Sequence, residues 1–181
     1  IGGVLTLFCV TIARVLRGGD GLVLAEPLEI TSDVGALQKA IEQNPLFGFL
    51  DDKGKEELAG ALTTLEFNCG ENIVVQGHVA NQFFMIADGS AEVIHSADSG
   101  VETFVASLTS GDSFGEMALI DGGTRQASVR AAGPTKVYVL ERGDFVDAIS
   151  RSGTNSDDVV DVLRSTSAIR KSDIFGALAP A

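Results

Sequence analysis

Gly111-Asp112-Ser113-Phe114-Gly115-Glu116-Met117-Ala118-Leu119-Ile120-Asp121-Gly122-Gly123-Thr124-Arg125-Gln126-Ala127-Ser128-Val129 is the stretch on which the reading of this 181-residue sequence turns. Its centre, Met117 to Ile120, is too apolar for a surface loop, yet Glu116 and Arg125 bracket it. A short helical turn beginning near Gly115 aims free backbone N–H groups at a common point, which makes an anion site. The missing side chain lets a ligand approach the backbone closely. Arg125 closes such a site with a planar fork matched to two phosphate oxygens. Glu116 repels a phosphate but accepts a hydrogen bond from a sugar hydroxyl. One pocket with an acid for ribose and a guanidinium for phosphate describes a nucleotide site that needs no metal. Read structurally, the same two residues are an ion pair pinning a loop, but a desolvated pair alone is weak grounds for stability.

On both sides of this segment the sequence alternates. From Glu66, the runs at Ile73 and Val75, Phe83 to Ile86, Ala91 and Val93, and Val101 to Leu108 are each ended by Gly, Asp, Asn or Ser. Strand character returns at Gln126 to Ala131 and Lys136 to Leu140. Gly70, Gly77, Gly89, Gly100 and Gly111 fall where corners between short strands are expected. Helical periods frame the strands. Thr31-Ser32-Asp33 offers an N-cap for a helix over Val34 to Gln43, which Asn44-Pro45 ends. Asp51-Asp52 opens a second helix, Lys53 to Leu65, with Leu58, Leu62 and Leu65 on one face. Arg142 to Arg151 reads as a helix with Phe145, Val146 and Ile149 inward. Another helix is expected over Ser156 to Arg164, with Asp157, Asp158 and Asp161 toward its start and Arg164 at its end. The expected fold class is α+β, an antiparallel β jelly-roll barrel with flanking N- and C-terminal helices.

Phe114-Gly115-Glu116-Met117-Ala118-Leu119-Ile120 followed by Arg125-Gln126-Ala127-Ser128-Val129 resembles the phosphate-binding cassette of cyclic-nucleotide-binding domains. The resemblance runs from about Pro45 to Arg151 and includes Gly77 and the pattern Phe84-Met85-Ile86-Ala87-Asp88-Gly89-Ser90-Ala91-Glu92-Val93. It implies a jelly-roll fold and a cAMP or cGMP ligand, with no further cofactor. It also implies that Glu116 binds the ribose 2′-hydroxyl, that Arg125 binds the cyclic phosphate, and that the backbone amides of Gly115, Ala118 and Gln126 finish the cradle. Phe114, Met117 and Ala127 complete the ligand-binding set. The residue after the arginine is often Ala in cAMP-selective domains and Thr in many cGMP-selective ones; here it is Gln126, which leaves the base undecided. Val105, Ala106 and Leu108, on the strand before the cassette, are expected at the base side of the pocket, a position core packing explains equally well.

The flanks suggest what such a domain serves. Ser172-Asp173-Ile174-Phe175-Gly176-Ala177-Leu178-Ala179-Pro180 echoes Asn44-Pro45-Leu46-Phe47-Gly48-Phe49-Leu50, as the opening of a second, truncated copy would. Tandem copies resemble the regulatory regions of cAMP- and cGMP-dependent protein kinases, which implies a kinase catalytic domain as partner, in cis or in trans. The expected division is 1–30 as flank and linker, 31–164 as the domain, and 165–181 as a linker and the start of a further copy. Ala13-Arg14-Val15-Leu16-Arg17-Gly18-Gly19 lacks the paired arginines of a pseudosubstrate. An ion channel would place a transmembrane bundle and a long helical linker before the domain. A DNA-binding regulator would add a basic helix-turn-helix after it, and a degenerate member would act as a scaffold.

Composition narrows the rest. Thirteen Lys and Arg against 25 Asp and Glu give a net charge of -12, which repels nucleic acid. His78 and His95 are the only histidines and form no HxH pair, so neither a cupin-type metal site nor a catalytic triad is legible, and no catalytic residue is assigned. Cys9 and Cys69 show no disulfide framework or CxxC spacing, which fits the reducing cytoplasm. The apolar run Ile1 to Ala13 is read as a buried or partner-facing helix. Arg14 and Arg17 interrupt it short of the ~20 residues a membrane span needs, so no membrane association is expected. Basic residues after the run rather than before it do not suit a signal peptide. Gly18 to Glu29 reads as a linker, and a chain opening on Ile is expected to be a piece of something longer.

Overall fold

The computed structural model describes residues 11–12, 15–18, 21–24, 28–29, 34–120, 122–152, 159–161 and 163–165. The segment expected to be a linker contains strands. β1 (Thr11–Ile12) pairs with β4 (Leu28–Glu29), and β2 (Val15–Gly18) pairs antiparallel with β3 (Gly21–Leu24) in the register Arg17 with Leu22. The aliphatic runs Val15-Leu16 and Leu22-Val23-Leu24 flank a Gly-rich turn sequence, which is a hairpin signature rather than a linker's. Thr11 and Ile12 are extended and not helical, so the helix expected at the N-terminus does not reach them.

Helix α1 spans Val34–Gln43. The side chain of Asn44 then accepts the Leu46 N–H at 3.0 Å and starts a single 3-10 turn, Pro45–Phe47. Asp51 caps α2 (Asp52–Ala61) by accepting the Gly54 N–H at 2.8 Å. This helix stops at Ala61, short of the expected Leu65. Thr63 and Thr64 are β-branched and start strand β5 (Thr63–Phe67), where Leu65 pairs with Val137 instead of sharing a helical face with Leu58.

The remaining elements are β6 (Asn72–Val74), β7 (Gln82–Asp88), β8 (Ser90–Ser96), β9 (Glu102–Thr109), β10 (Ser113–Phe114), α3 (Met117–Ile120), β11 (Ser128–Ala131), β12 (Thr135–Glu141) and α4 (Arg142–Ser152). Two antiparallel four-stranded sheets, β10-β7-β12-β5 and β6-β11-β8-β9, face each other as a jelly-roll barrel. Phe84, Ile86, Ala91, Val93, Leu108, Ala127, Val129, Val137 and Val139 fill the space between them. The outer face of the first sheet is covered by helices. Phe83, Met85 and Leu140 pack there against Phe47, Leu58, Leu62, Leu119, Phe145 and Ile149. Strand β7 is therefore buried on both faces, and its consecutive apolar residues are divided between two cores by the alternation of the pleat.

Val146, expected inward on α4, is exposed, and Ala148 takes that place beside Phe145 and Ile149, as a 3.6-residue period requires. Residues 159–161 and 163–165 are helical within the span expected for the last helix, and Val159 and Leu163 are buried in the helical core. Asp157, Asp158, the cap at Thr31 to Asp33, and the echo at Ser172 to Pro180 lie outside the described residues. At the end of the barrel away from α3, the turn at Gly89 presses on the turn before β12. A Cβ at Gly89, whose φ is +87°, would meet the Pro134 carbonyl oxygen at 2.3 Å. The Thr135 hydroxyl and the Ala132 N–H both donate to the Ser90 carbonyl, at 2.8 and 2.9 Å.

Candidate functional site

The segment Gly111 to Val129 folds as two arms that meet at one guanidinium. Phe114 closes the first arm on β10, paired with Phe84, and Gly115 then turns the chain at φ +82° into α3. A Cβ there would lie 2.4 Å from Arg125 Nη1 and 3.1 Å from the Gln82 carbonyl oxygen, so glycine is required by both backbone and space. The second arm is held by its main chain. The Ala80 N–H donates to the Gly123 carbonyl, the Arg125 N–H to the His78 carbonyl and the Gly77 N–H to the Arg125 carbonyl, each at 2.9 Å. Strand β11 consequently begins at Ser128 and not at the expected Gln126, because the residues before it are bonded to the 77–80 segment.

Arg125 is only 8% exposed. Its Nη2 donates to the Gln82 carbonyl at 2.7 Å, and its Cζ sits 5.3 Å from the centroid of the Phe84 ring. Among the described residues no carboxylate comes within ion-pair distance of it, so the mutual Glu116–Arg125 pair does not form. Burial lowers the Arg125 pKa from its ordinary value, and the charge of Glu116, acting at longer range, raises it part of the way back. What results is a buried cation with no carboxylate partner among the described residues, packed directly against the backbone of Gly115.

The other expected residues are distributed around this point. Glu116 is half-buried at the start of α3, and Ala118 is buried. The Ala118 N–H, expected to face a ligand, donates to the Gly115 carbonyl at 3.1 Å and closes the turn. Glu116 and Met117, as the first peptides of that turn, have no acceptor for their N–H groups within it. The Met117 side chain is exposed. Gln126 is exposed and donates through Nε2 to the Thr124 carbonyl at 3.2 Å, while Ala127 points into the barrel core. On β9, Ala106 and Leu108 share a face toward that core, and the pairing skips from Ala106 to Phe104 opposite β8. Val105 is thus the extra residue of a bulge, which lets it pack inward although its neighbour Ala106 does too.

The site is tied to the helices. Leu119 and Ile120 of α3 belong to the helical core with Phe145 and Ile149 of α4. Arg142, first residue of α4, donates through Nη2 to the Ile120 carbonyl at 2.6 Å and through Nε to the Leu119 carbonyl at 3.4 Å, and its N–H reaches the Asn81 carbonyl at 2.9 Å. The side-chain amide of Gln82 donates to Glu141. Gln82, Phe84 and Arg142 were not foreseen as part of the site. Gln82 acts through its carbonyl, which no side-chain reading reports, whereas Phe84 was accessible as the inward member of the β7 alternation.

The sequence pattern of the cyclic nucleotide-binding domain matches residues 64–152. The chain is 36% identical over 108 residues to the cAMP-dependent protein kinase regulatory subunit of Schizosaccharomyces pombe, an alignment covering 60% of this chain and 25% of that protein. It thus spans about a quarter of that relative's length. Among solved structures it is similar to the regulatory domain of Toxoplasma gondii PKA crystallised with cAMP, with TM-score 0.63 and 29% identity over 75% of this chain and 49% of that one. It is also similar to the regulatory subunit of a cAMP-independent protein kinase A from Trypanosoma cruzi bound to guanosine, with TM-score 0.61 and 27% identity over 80% of this chain and 49% of that one. With its two-sheet barrel, flanking helices and Gly115–Arg125 cassette, the chain belongs through residues 64–152 to the cyclic-nucleotide-binding domain family.

Proposed function

We propose that the domain binds a cyclic nucleotide, cAMP before cGMP, and is the regulatory module of a cyclic-nucleotide-dependent protein kinase. The observation that carries the reading is Arg125, buried and with no carboxylate at ion-pair distance among the described residues, its guanidinium set directly against the backbone of Gly115, which has no side chain to keep it away. A cyclic phosphate supplies the missing negative charge there and accepts two hydrogen bonds from the guanidinium fork. Glu116 takes the ribose 2′-hydroxyl, the N–H groups of Gly115 and Gln126 approach the phosphate, and Phe114, Met117, Ala118 and Ala127 shape the wall behind them. Val105, Ala106 and Leu108 lie toward the base. cAMP takes precedence because the fungal relative is named a cAMP-dependent regulatory subunit and the Toxoplasma domain was crystallised with cAMP.

The working partner is a kinase catalytic domain, on the same chain or another, and this module itself carries no catalysis. The free, exposed Cys69 suits the cytoplasm, where thiols stay reduced. Among the described residues no helix is long and apolar enough to cross a membrane. Residues 31–164 form the functional unit, with 165–181 leading toward a further copy. Regulation follows from a population shift. A ligand that prefers the closed cassette draws α3 inward, and Arg142 with the shared apolar core carries α4 along, removing the surface that holds the catalytic domain.

Titration calorimetry with cAMP, cGMP, 5′-AMP and guanosine tests this. The expected result is binding of cAMP with 5′-AMP far weaker, and a loss on the order of a hundredfold in Arg125→Ala, where two charge-assisted hydrogen bonds disappear. Glu116→Gln should cost less, because an amide oxygen still accepts from a hydroxyl. Binding of no cyclic nucleotide, or an Arg125→Ala variant as tight as the parent, would overturn the reading and favour a scaffold role.

A further inference from the structure

Arg125 needs something to hold its plane before a ligand arrives. One hydrogen bond, to the Gln82 carbonyl, fixes a single nitrogen and leaves the guanidinium free to tilt about it. A carboxylate partner would fix the plane but would cancel the charge that a phosphate must find. The described residues instead place an aromatic face beneath it. Phe84 is 2% exposed, its ring centroid is 5.3 Å from Arg125 Cζ, and the same ring is stacked on Phe114 at 5.0 Å with an interplanar angle of 6°. Phe114 immediately precedes Gly115, so the order Phe114, Phe84, Arg125 joins the first arm of the cassette to the second through one ring.

We propose that Phe84 is a positioning residue of the ligand site: clamped by Phe114, its ring orients the Arg125 guanidinium and registers the two arms, while leaving the arginine's charge unneutralised for an anionic ligand. The ring's negative face attracts the cation without donating a full charge. A phosphate therefore meets a guanidinium already oriented, and less freedom is lost on binding. The inference rests on the cyclic-nucleotide reading above, and its test separates the two.

Affinity for cAMP is measured in a double-mutant cycle with Phe84→Leu and Arg125→Ala. Phe84→Leu is expected to weaken binding about tenfold when Arg125 is present, as loss of a desolvated cation–π contact would, and by less than about twofold when it is absent. Pentafluorophenylalanine introduced at position 84 keeps the shape of the ring but reverses its quadrupole. It is expected to weaken cAMP binding severalfold with the thermal midpoint of the free protein nearly unchanged. Equal losses from Phe84→Leu in the two backgrounds, or undiminished binding with the fluorinated ring, would overturn the proposal. Should Phe84→Leu fail to fold, Phe114→Leu at the half-exposed end of the stack enters the same cycle, with a smaller loss expected that again depends on Arg125. Failure of Arg125→Ala to weaken binding would instead strike the cyclic-nucleotide reading itself.

Discussion

Adding one methyl group at Gly115 sets two demands against each other. Alanine at φ +82° is strained by about 1 kcal/mol, and the new carbon would displace the Arg125 guanidinium it meets at 2.4 Å. We expect Gly115→Ala to lower unfolding free energy by about 1–2 kcal/mol in urea titrations yet to weaken cAMP binding by more than tenfold, because the strain is local and the displaced group is the one that binds. Arg125→Lys should keep the charge and lose the fork, so calorimetry should show a loss between those of the parent and of Arg125→Ala. At this scale the sequence was informative wherever a residue type carries its own chemistry. A glycine, an acid and an arginine in that order point to an anion site; the structure brings Gly115 and Arg125 together and leaves Glu116 beyond ion-pair distance of the guanidinium. The face of Phe84 and the carbonyl of Gln82 were hidden because their part depends on where β7 runs, not on what they are.

Elements were legible where one force dominates. Helix α1 runs over Val34–Gln43, ending where the Asn44-Pro45 stop signal requires, and α2 begins where Asp51 caps it. Removing that cap in Asp51→Ala should cost about 1 kcal/mol, read as a lower urea midpoint with unchanged slope. The end of α2 was misjudged because Leu58, Leu62 and Leu65 fit a helical stripe, while the β-branched Thr63 and Thr64 and the pairing of Leu65 with Val137 decide for a strand. The same competition misled the reading of Gly18 to Glu29, where glycines suggested a linker although aliphatic residues on both sides of them pair as β2 and β3. Between elements, Arg142 supplies the polar tie from α4 to the last carbonyls of α3. Arg142→Ala should raise hydrogen exchange across residues 142–152 in the cAMP-bound protein while reducing cAMP affinity by less than about tenfold, since the residue joins moving parts and does not touch the phosphate.

For the molecule as a whole, two cores share one sheet, and anything that tightens one is felt in the other through β7 and β12. Binding should therefore stabilise the entire domain and not the cassette alone. At cAMP concentrations a hundredfold above the dissociation constant the gain is about 2.7 kcal/mol, so calorimetric scans should show a single transition moving up by several degrees. Two separated transitions would mean that the helical and barrel cores melt independently. The contact of Gly89 with Pro134, locked by the Thr135 hydroxyl, makes the barrel a beam bolted to its wall at one end. A beam so mounted moves least at the bolt and most at its free tip, so we expect ligand-driven displacement to be greatest where α3 and α4 meet, and a protein that reads the ligand to do so there.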